Sequence, residues 1–293
     1  MTKKIKSRCI ISSAAFAVKK SLITQYDPLI QKPPVIGDLV FGEVSTLGHH
    51  IIIESKSSRK HTLNVGTRAI FVFGNRYAPD QFEGIVPKLS QEFVDLFSQG
   101  GVIGNVKTQS QLIGVPTKIK VLGYVCDNRG NVINTTKHKL INPNNDKKNK
   151  GRAKLILCVG TSMNSGKTHA AAACCYAISS MGKSSRAAKI TGTASLKDIL
   201  LMNDCGADHV VDFTYFGYPS TYMMEEAKLL EMFRNFDDKY GNNPKNYIVV
   251  EFADGIFQRE TAMLLKIPEI QERIDKLIFC APDSIAVYGC IKA

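Results

Sequence analysis

The chain has 293 residues, of which 44% are hydrophobic and 22% are charged. This composition is typical of a globular protein with room for two ordinary domains, and it excludes disorder throughout the chain. No apolar run approaches the roughly 20 residues that a membrane-spanning helix needs, so no membrane partner is predicted. The net charge of +12 is uneven: residues 1–154 hold 24 Lys and Arg against 10 Asp and Glu, and residues 155–293 hold 14 against 16.

The N-terminus is basic, as at the start of a signal peptide. Lys19 and Lys20 follow the apolar stretch at residues 9–18, and no small-residue cleavage site follows that stretch. This pattern favours a cytoplasmic protein over an exported one. The eight cysteines show neither a C-x-x-C pair nor regular spacing, so they indicate no zinc site and no disulfide framework.

Residues 1–136 are predicted to form a basic, β-rich domain. Short apolar runs separated by turn glycines, such as Gly48 and Gly66, indicate a small barrel or curled sheet. The predicted strands are 39–44, 50–54, 69–73 and 118–125, and residues 87–97 are predicted to form a short helix. Arg76 and Tyr77 lie in a predicted surface loop, where they would be solvated or would contact a ligand.

The positive charge of this first half has two interpretations. A surface for nucleic acid is one, because polyanions are attracted to clustered Lys and Arg. A solvated basic face is the other, and the absence of a basic motif interleaved with aromatic residues favours it. Nucleic acid therefore stays open as a partner.

Residues 137–153 are polar and charged, which is typical of a linker. Residues 154–293 then alternate between apolar runs and helical patterns, which indicates a parallel sheet covered by helices. The predicted strands are 155–160, 185–190, 209–213, 246–251 and 276–280, and the predicted helices are 167–181, 195–203, 220–235 and 257–266. The predicted fold class is α/β, with this domain following the smaller β-rich one.

A glycine-rich turn joins the first of these strands to the first helix. Backbone N–H groups at the start of a helix bind phosphate, and glycine lets the backbone come close to it. Lys167 would reach the β- and γ-phosphates, and the Thr168 hydroxyl would bind Mg²⁺. The predicted nucleotide-binding residues of this P-loop (Walker A) pattern are Gly160, Thr161, Asn164, Ser165, Gly166, Lys167 and Thr168.

Gly160-Thr161, four residues, and then Gly166-Lys167-Thr168 resemble the loop of dethiobiotin synthetase and the cobyrinate amide synthetases. Residues 247–255 resemble that family's strand ending in a glutamate, and 188–195 resemble its lysine-containing segment. The resemblance covers residues 153–293 and implies an ATP- and Mg²⁺-dependent P-loop NTPase of a ligase-like type. It implies that Glu251 helps to bind Mg²⁺ and that Lys189 lies near phosphate and substrate.

Strand ends place further acids beside this site. Gly160, Lys189 and Glu251 end three predicted strands, and the carboxyl ends of parallel strands gather at one edge, where ligands bind. Asp212 ends another strand, so it either joins the metal site or caps the next turn. The predicted catalytic residues are Lys167, Lys189 and Glu251, and the predicted metal ligands are Thr168, Glu251 and Asp212.

The predicted function is Mg²⁺-dependent binding and hydrolysis of a nucleoside triphosphate. If the resemblance extends to the chemistry, a carboxylate of an unidentified small-molecule substrate attacks the γ-phosphate and forms an acyl phosphate for later ligation. A nucleotide-gated module for nucleic acid or protein is a second hypothesis, and a small-molecule kinase is a third. ATP rather than GTP rests on the resemblance, and a homodimer is an expectation by analogy with relatives of this fold. In the resembled family, further sheet elements follow the part that matches residues 153–293. We therefore expect either a reduced sheet or a C-terminally incomplete chain.

Overall fold

The computed structural model describes residues 2–6, 8–142 and 151–292. Residues 143–150 of the predicted linker lie outside this described part. The chain divides into two compact units. Unit 1 contains residues 1–140, 193–196 and 214–222, and unit 2 contains residues 141–192, 197–213 and 223–293. Two short segments of the second half therefore belong with the β-rich first half.

Unit 1 is built from short strands. Their bounds are β1 Lys3–Lys4, β2 Ile10–Ile11, β3 Gln25–Asp27, β4 Leu39–Thr46, β5 Ile52–Glu54, β6 Lys60–Thr62, β7 Arg68–Phe73, β8 Arg76–Tyr77, β9 Phe82–Ile85, β10 Phe93–Leu96, β11 Val102–Gln109 and β12 Thr117–Cys126. Ten of them form one mixed sheet, and β5 and β6 pair separately. Arg76 and Tyr77, predicted in a loop, thus form a two-residue strand that pairs with β9.

Five strands of this sheet form a closed ring. β12 pairs with β4, β4 with β7, β7 with β11, β11 with β10, and β10 with β12. Their buried side chains include Val40, Phe71 and Ile103, which pack in one core. Gly42 permits close packing there, because a Cβ at this position would lie 2.7 Å from Ile119 Cγ2.

The helix predicted at residues 87–97 is wrong. Phe93–Leu96 is instead strand β10, which is antiparallel to both β11 and β12. The buried Asp95 carboxylate accepts a hydrogen bond from Val106 N at 2.9 Å and pairs with Lys118 Nζ at 2.6 Å. These partners are distant in sequence, so local helical periodicity could not reveal them.

Hydrogen bonds within unit 1 hold the two segments from the second half. Ala194 N donates to Pro219 O at 2.9 Å, and Leu140 N donates to Tyr215 O at 2.7 Å. Leu196 N donates to the buried Glu54 carboxylate at 2.9 Å. The helix predicted at 220–235 begins only at Glu226, because residues 214–222 belong to unit 1.

Unit 2 contains a five-stranded parallel sheet in the order β15-β14-β16-β13-β17. Its strands are β13 Lys154–Gly160, β14 Ser185–Lys189, β15 His209–Asp212, β16 Tyr247–Glu251 and β17 Lys276–Cys280. The helices are α1 Lys167–Ser180, α2 Leu196–Asp204, α3 Glu226–Tyr240, α4 Arg259–Leu265, α5 Pro268–Arg273 and α6 Ser284–Lys292. The described part of the chain also contains four 3-10 turns, at Ser13–Ala15, Lys20–Leu22, Thr135–Lys137 and Phe213–Phe216.

The structure confirms a mixed α/β protein, with a large mixed sheet in one unit and a parallel sheet with helices in the other. The five strands predicted after residue 154 are all present, and α5 and α6 are helices that were not predicted. Within the described residues, no helix is both long enough and apolar enough to cross a bilayer.

Candidate functional site

The loop from Gly160 to Gly166 connects β13 to α1. A Cβ on Gly160 would lie 2.6 Å from the Cys280 carbonyl oxygen and 2.3 Å from Ser165 Oγ, so only glycine fits this strand end without a local shift. Gly166 has φ +96° and caps the N-terminus of α1 in the left-handed region, where glycine carries no Cβ penalty. Asn164 also has a positive φ, of 63°.

Neighbouring strand ends support this loop on both sides. Thr161 N donates to Cys280 O at 3.0 Å, and Ile256 N donates to Gly160 O at 2.9 Å. The segment after β16 is held in turn by the hydroxyls of Thr191 and Thr261, which both donate to Ala253 O. The loops after β13, β16 and β17 therefore form one connected edge of the sheet.

Lys167 is the first residue of α1 and is only 5% exposed. Its Nζ donates to Ser162 O at 2.6 Å and to Ser165 Oγ at 3.4 Å, so the ammonium lies inside its own loop. Burial lowers the pKa of Lys167, while the negative charges of Glu251 and Asp254 oppose this shift. The loop thus presents a buried cation beside backbone N–H groups of a helix start, which is the donor set that phosphate requires.

Thr168 and Glu251 meet directly. Thr168 Oγ1 donates to Glu251 Oε1 at 3.1 Å, and Glu251 is 1% exposed. Among the described residues, its other oxygen, Oε2, has no hydrogen-bond partner. A buried carboxylate oxygen without a donor is costly, and it suits a cation.

This pair fits Mg²⁺. Magnesium takes oxygen ligands and is usually bound through one or two carboxylates together with substrate phosphates and water. The Thr168 hydroxyl and the Glu251 carboxylate are oxygen donors of this kind. The described residues contain no group of three or more His, Cys, Asp or Glu that could hold a metal ion without help from a substrate.

Lys189 forms ion pairs with two carboxylates, those of Glu251 and Asp198. Its Nζ is 3.4 Å from Glu251 Oε1, and it also donates to the Asp198 carboxylate. Burial alone would lower the pKa of Lys189, but the charges of Glu251 and Asp198 outweigh it, and the pKa is raised. Lys189 is therefore a firmly protonated cation in the interior of unit 2.

The register of the sheet aligns these residues in a row. Glu251 is the Cα partner of Lys189, and Lys189 is the Cα partner of Asp212. Partners in neighbouring parallel strands present their side chains on the same face, so Lys189 lies between Asp212 and Glu251 in the order of the strands. Asp212 is 1% exposed, and the structure places it beside Lys189, one strand further from the Thr168–Glu251 pair.

The sequence analysis did not predict two features of unit 2. Asp198, the partner of Lys189, lies in the first turn of α2, and its only signal was an acidic residue near a helix start. Cys158 in β13 and Cys174 in α1 form a thiol pair. The interaction with Cys158 lowers the pKa of Cys174, and the interaction with Cys174 together with burial raises the pKa of Cys158.

No protein-family model matches the chain, and no curated protein shows significant similarity to it.

Proposed function

We propose that unit 2 binds a nucleoside triphosphate with Mg²⁺ through the 160–166 loop, Lys167, Thr168 and Glu251. The observation that carries this proposal is the orphaned Oε2 of Glu251, buried beside the Thr168 hydroxyl at the start of α1. Thr168 and Glu251 would hold the cation, and its positive charge would then satisfy that oxygen. Lys167 and the loop amides would then stabilise negative charge on the phosphates.

The reaction that we propose is phosphoryl transfer from the nucleotide, with ATP as the expected donor and a small-molecule carboxylate as the expected acceptor. A carboxylate oxygen would attack the γ-phosphorus, the bond from that phosphorus to the β,γ-bridging oxygen would break, and an acyl phosphate and ADP would form. Bound Mg²⁺ would neutralise charge on the phosphates. Lys189, held by Asp198 and Glu251, supports the proposal as a protonated group that would orient an anionic acceptor or the γ-phosphate. All eight cysteines are free thiols, which suits the cytoplasm as the compartment.

Titration of ATP and GTP into the protein, with and without Mg²⁺, tests the binding step. We expect Lys167→Ala to weaken ATP binding at least ~100-fold, because the loop loses its charge on the phosphates. Thr168→Ala should reduce the dependence on Mg²⁺ more than the affinity without the metal. Lys183→Ala, which removes an exposed lysine from the same unit, is the matched control and should bind normally.

Product analysis separates the three activities. Phosphate release that depends on an added carboxylate supports ligase-like activation, whereas a stable phosphorylated product supports a kinase. Slow hydrolysis that a polyanion stimulates would support the nucleotide-gated module. If neither nucleotide binds to the folded wild-type chain, the proposed function is wrong.

A further inference from the structure

A groove in unit 1 has the character of a separate ligand site. It encloses about 410 Å³ between the N-terminal segment and the turn that precedes β3. Small-molecule sites are typically ~300–1,000 Å³, mostly apolar, with a few polar groups that fix the ligand. All of its lining residues belong to unit 1, so the groove does not depend on the nucleotide site that we propose.

The floor of the groove is apolar. Ile5, Ile11 and Ile23 line it together with Cys9, and both Ile11 and Ile23 are less than 10% exposed. Burial raises the pKa of the Cys9 thiol to about 11, so this side chain is neutral near pH 7 and contributes as a small apolar group. An alkyl chain would find matching surface here.

The rim of the groove is cationic. Lys6 and Lys20 line it and are both exposed, and within the described residues neither has an ion-pair partner. Residues 1–26 contain six Lys and Arg and no Asp or Glu, and the first acid of the chain is Asp27, so the segment that lines the groove supplies cations only. This differs from Lys107, Lys118 and Lys120 on the strands of unit 1, each of which pairs with a carboxylate.

Ser21 and Thr24 also line the groove, and their hydroxyl groups can donate hydrogen bonds to a ligand. Two ammonium groups and two hydroxyls match the two oxygens of a single carboxylate, while the isoleucines match a hydrocarbon body. We propose that this groove binds a small amphipathic carboxylate, with its head group at Lys6 and Lys20 and its chain over Ile5, Ile11 and Ile23.

Calorimetric titration of decanoate, nonanoate and octanoate into the full chain tests this proposal. Each added methylene that enters the groove should tighten binding about fourfold. Lys20→Glu and Lys6→Glu should each weaken decanoate binding about tenfold, because an attraction becomes a repulsion. Lys19→Glu makes the same change of charge at an exposed lysine outside the lining, and it should change binding less than twofold.

Decyltrimethylammonium, with the same chain and the opposite charge, should not bind. Decanoate should also slow alkylation of Cys9 at pH 9, followed by peptide mass spectrometry, without slowing alkylation of Cys205 in unit 2. Equal weakening by Lys19→Glu and Lys20→Glu, equal binding of the cationic amphiphile, or no saturable binding of decanoate would each overturn the proposal. Lys167→Ala should leave decanoate binding unchanged, so this result stands or fails separately from the nucleotide titration.

Discussion

At the scale of single residues, Lys189 is a cation that neutralises two carboxylates in the interior of unit 2. Its ammonium contacts the carboxylates of Asp198 and Glu251, and its side chain is 12% exposed. Buried charges are tolerated when they are paired, and removing one partner leaves an uncompensated charge in a poorly hydrated place. The same residue that we assign to an anionic ligand is therefore needed for folding.

Lys189→Met should destabilise the protein by about 3 kcal/mol, because two carboxylates lose their shared counter-ion. Urea unfolding at pH 7 measures this change. Lys197→Met on α2 is the control, because Lys197 is exposed, and it should stay within ~0.5 kcal/mol of wild type. A Lys189→Met protein as stable as wild type would show that the ion pairs contribute no net stability.

Cys174 should be the most reactive thiol of its helix near neutral pH. The neighbouring Cys158 thiol stabilises the Cys174 thiolate and lowers its pKa below the ordinary value of 9.0, whereas burial raises that of the adjacent Cys175 to about 12. The rate of iodoacetamide alkylation at Cys174 should therefore rise with pH to half its maximum at a pH below 9. Cys175 should stay unreactive over the same range.

Peptide mass spectrometry after timed alkylation resolves the two neighbours. Cys158→Ala removes the neighbouring thiol, so the midpoint for Cys174 should move upward, towards the ordinary value of 9.0. A midpoint that is the same in this variant as in wild type would contradict the role assigned to Cys158.

The sequence was sufficient to predict the site residues that a local motif defines. Lys167 and Thr168 follow a glycine turn, and Glu251 ends an apolar strand. The motif and the rule that the carboxyl ends of parallel strands share one edge were therefore sufficient to predict that these residues lie together. Asp198 lies nine residues beyond Lys189, and the path of the chain into α2 decides their contact. Asp212 was placed correctly at a strand end, but only the order of strands shows that Lys189 lies between it and Glu251.

At the scale of secondary structure elements, predictions were accurate where an element is defined by its own residues. β13 and β17 are continuous apolar runs, and their predicted bounds agree with the structure to within one residue. β10 is defined instead by its partners β11 and β12, and its sequence alone did not reveal it. The start of α5 has a local signal that was overlooked, since Pro268 occupies the first turn.

Gly160→Ala should disturb the junction between β13, β17 and the loop. The added Cβ would lie 2.6 Å from a backbone oxygen, which cannot move as cheaply as a flexible side chain. We expect a loss of about 2 kcal/mol in unfolding free energy, as for other overpacked sites, together with weaker nucleotide binding. Chemical denaturation gives the first quantity, and titration with Mg²⁺ and ATP gives the second.

Gly289→Ala in α6 is the control for this change. Nothing lies within 4 Å of the Cβ that it would add, and alanine is the better helix former by up to ~1 kcal/mol. It should leave the protein equally stable or slightly more stable. If Gly160→Ala behaves in the same way, the close approach at the strand end is not a constraint.

At the scale of the whole molecule, the uneven charge is the main feature without an assigned role. Residues 1–154 carry the entire positive excess, but lysines on β11 and β12 are paired with Glu83, Asp95 and Glu92. Residues 1–26 hold six Lys and Arg and no acid, and the first carboxylate of the chain is Asp27 in β3. Any binding of a polyanion by unit 1 should therefore depend most on this N-terminal segment.

Fluorescence anisotropy of a labelled 20-nucleotide single-stranded DNA, titrated at several salt concentrations, tests that expectation. Binding by these lysines would weaken steeply with salt, and the log–log slope would fall by about 0.7 for each phosphate contact removed. Lys3→Ala with Lys4→Ala on the exposed strand β1 should lower the slope by about 1.4. Lys183→Ala with Lys197→Ala removes the same charge from unit 2 and should leave the slope unchanged.

The outcome decides between the two interpretations of the basic half. Binding that depends on Lys3 and Lys4, and that changes when Mg²⁺ and ATP are added, would support a nucleotide-gated module, because ligation of one site would then alter the affinity of another. If the affinity for the DNA does not change when nucleotide is added, polyanion binding and nucleotide binding are independent activities. No measurable binding at low salt would leave the positive charge as a solvated face, since electrostatic attraction to a polyanion is strongest under that condition.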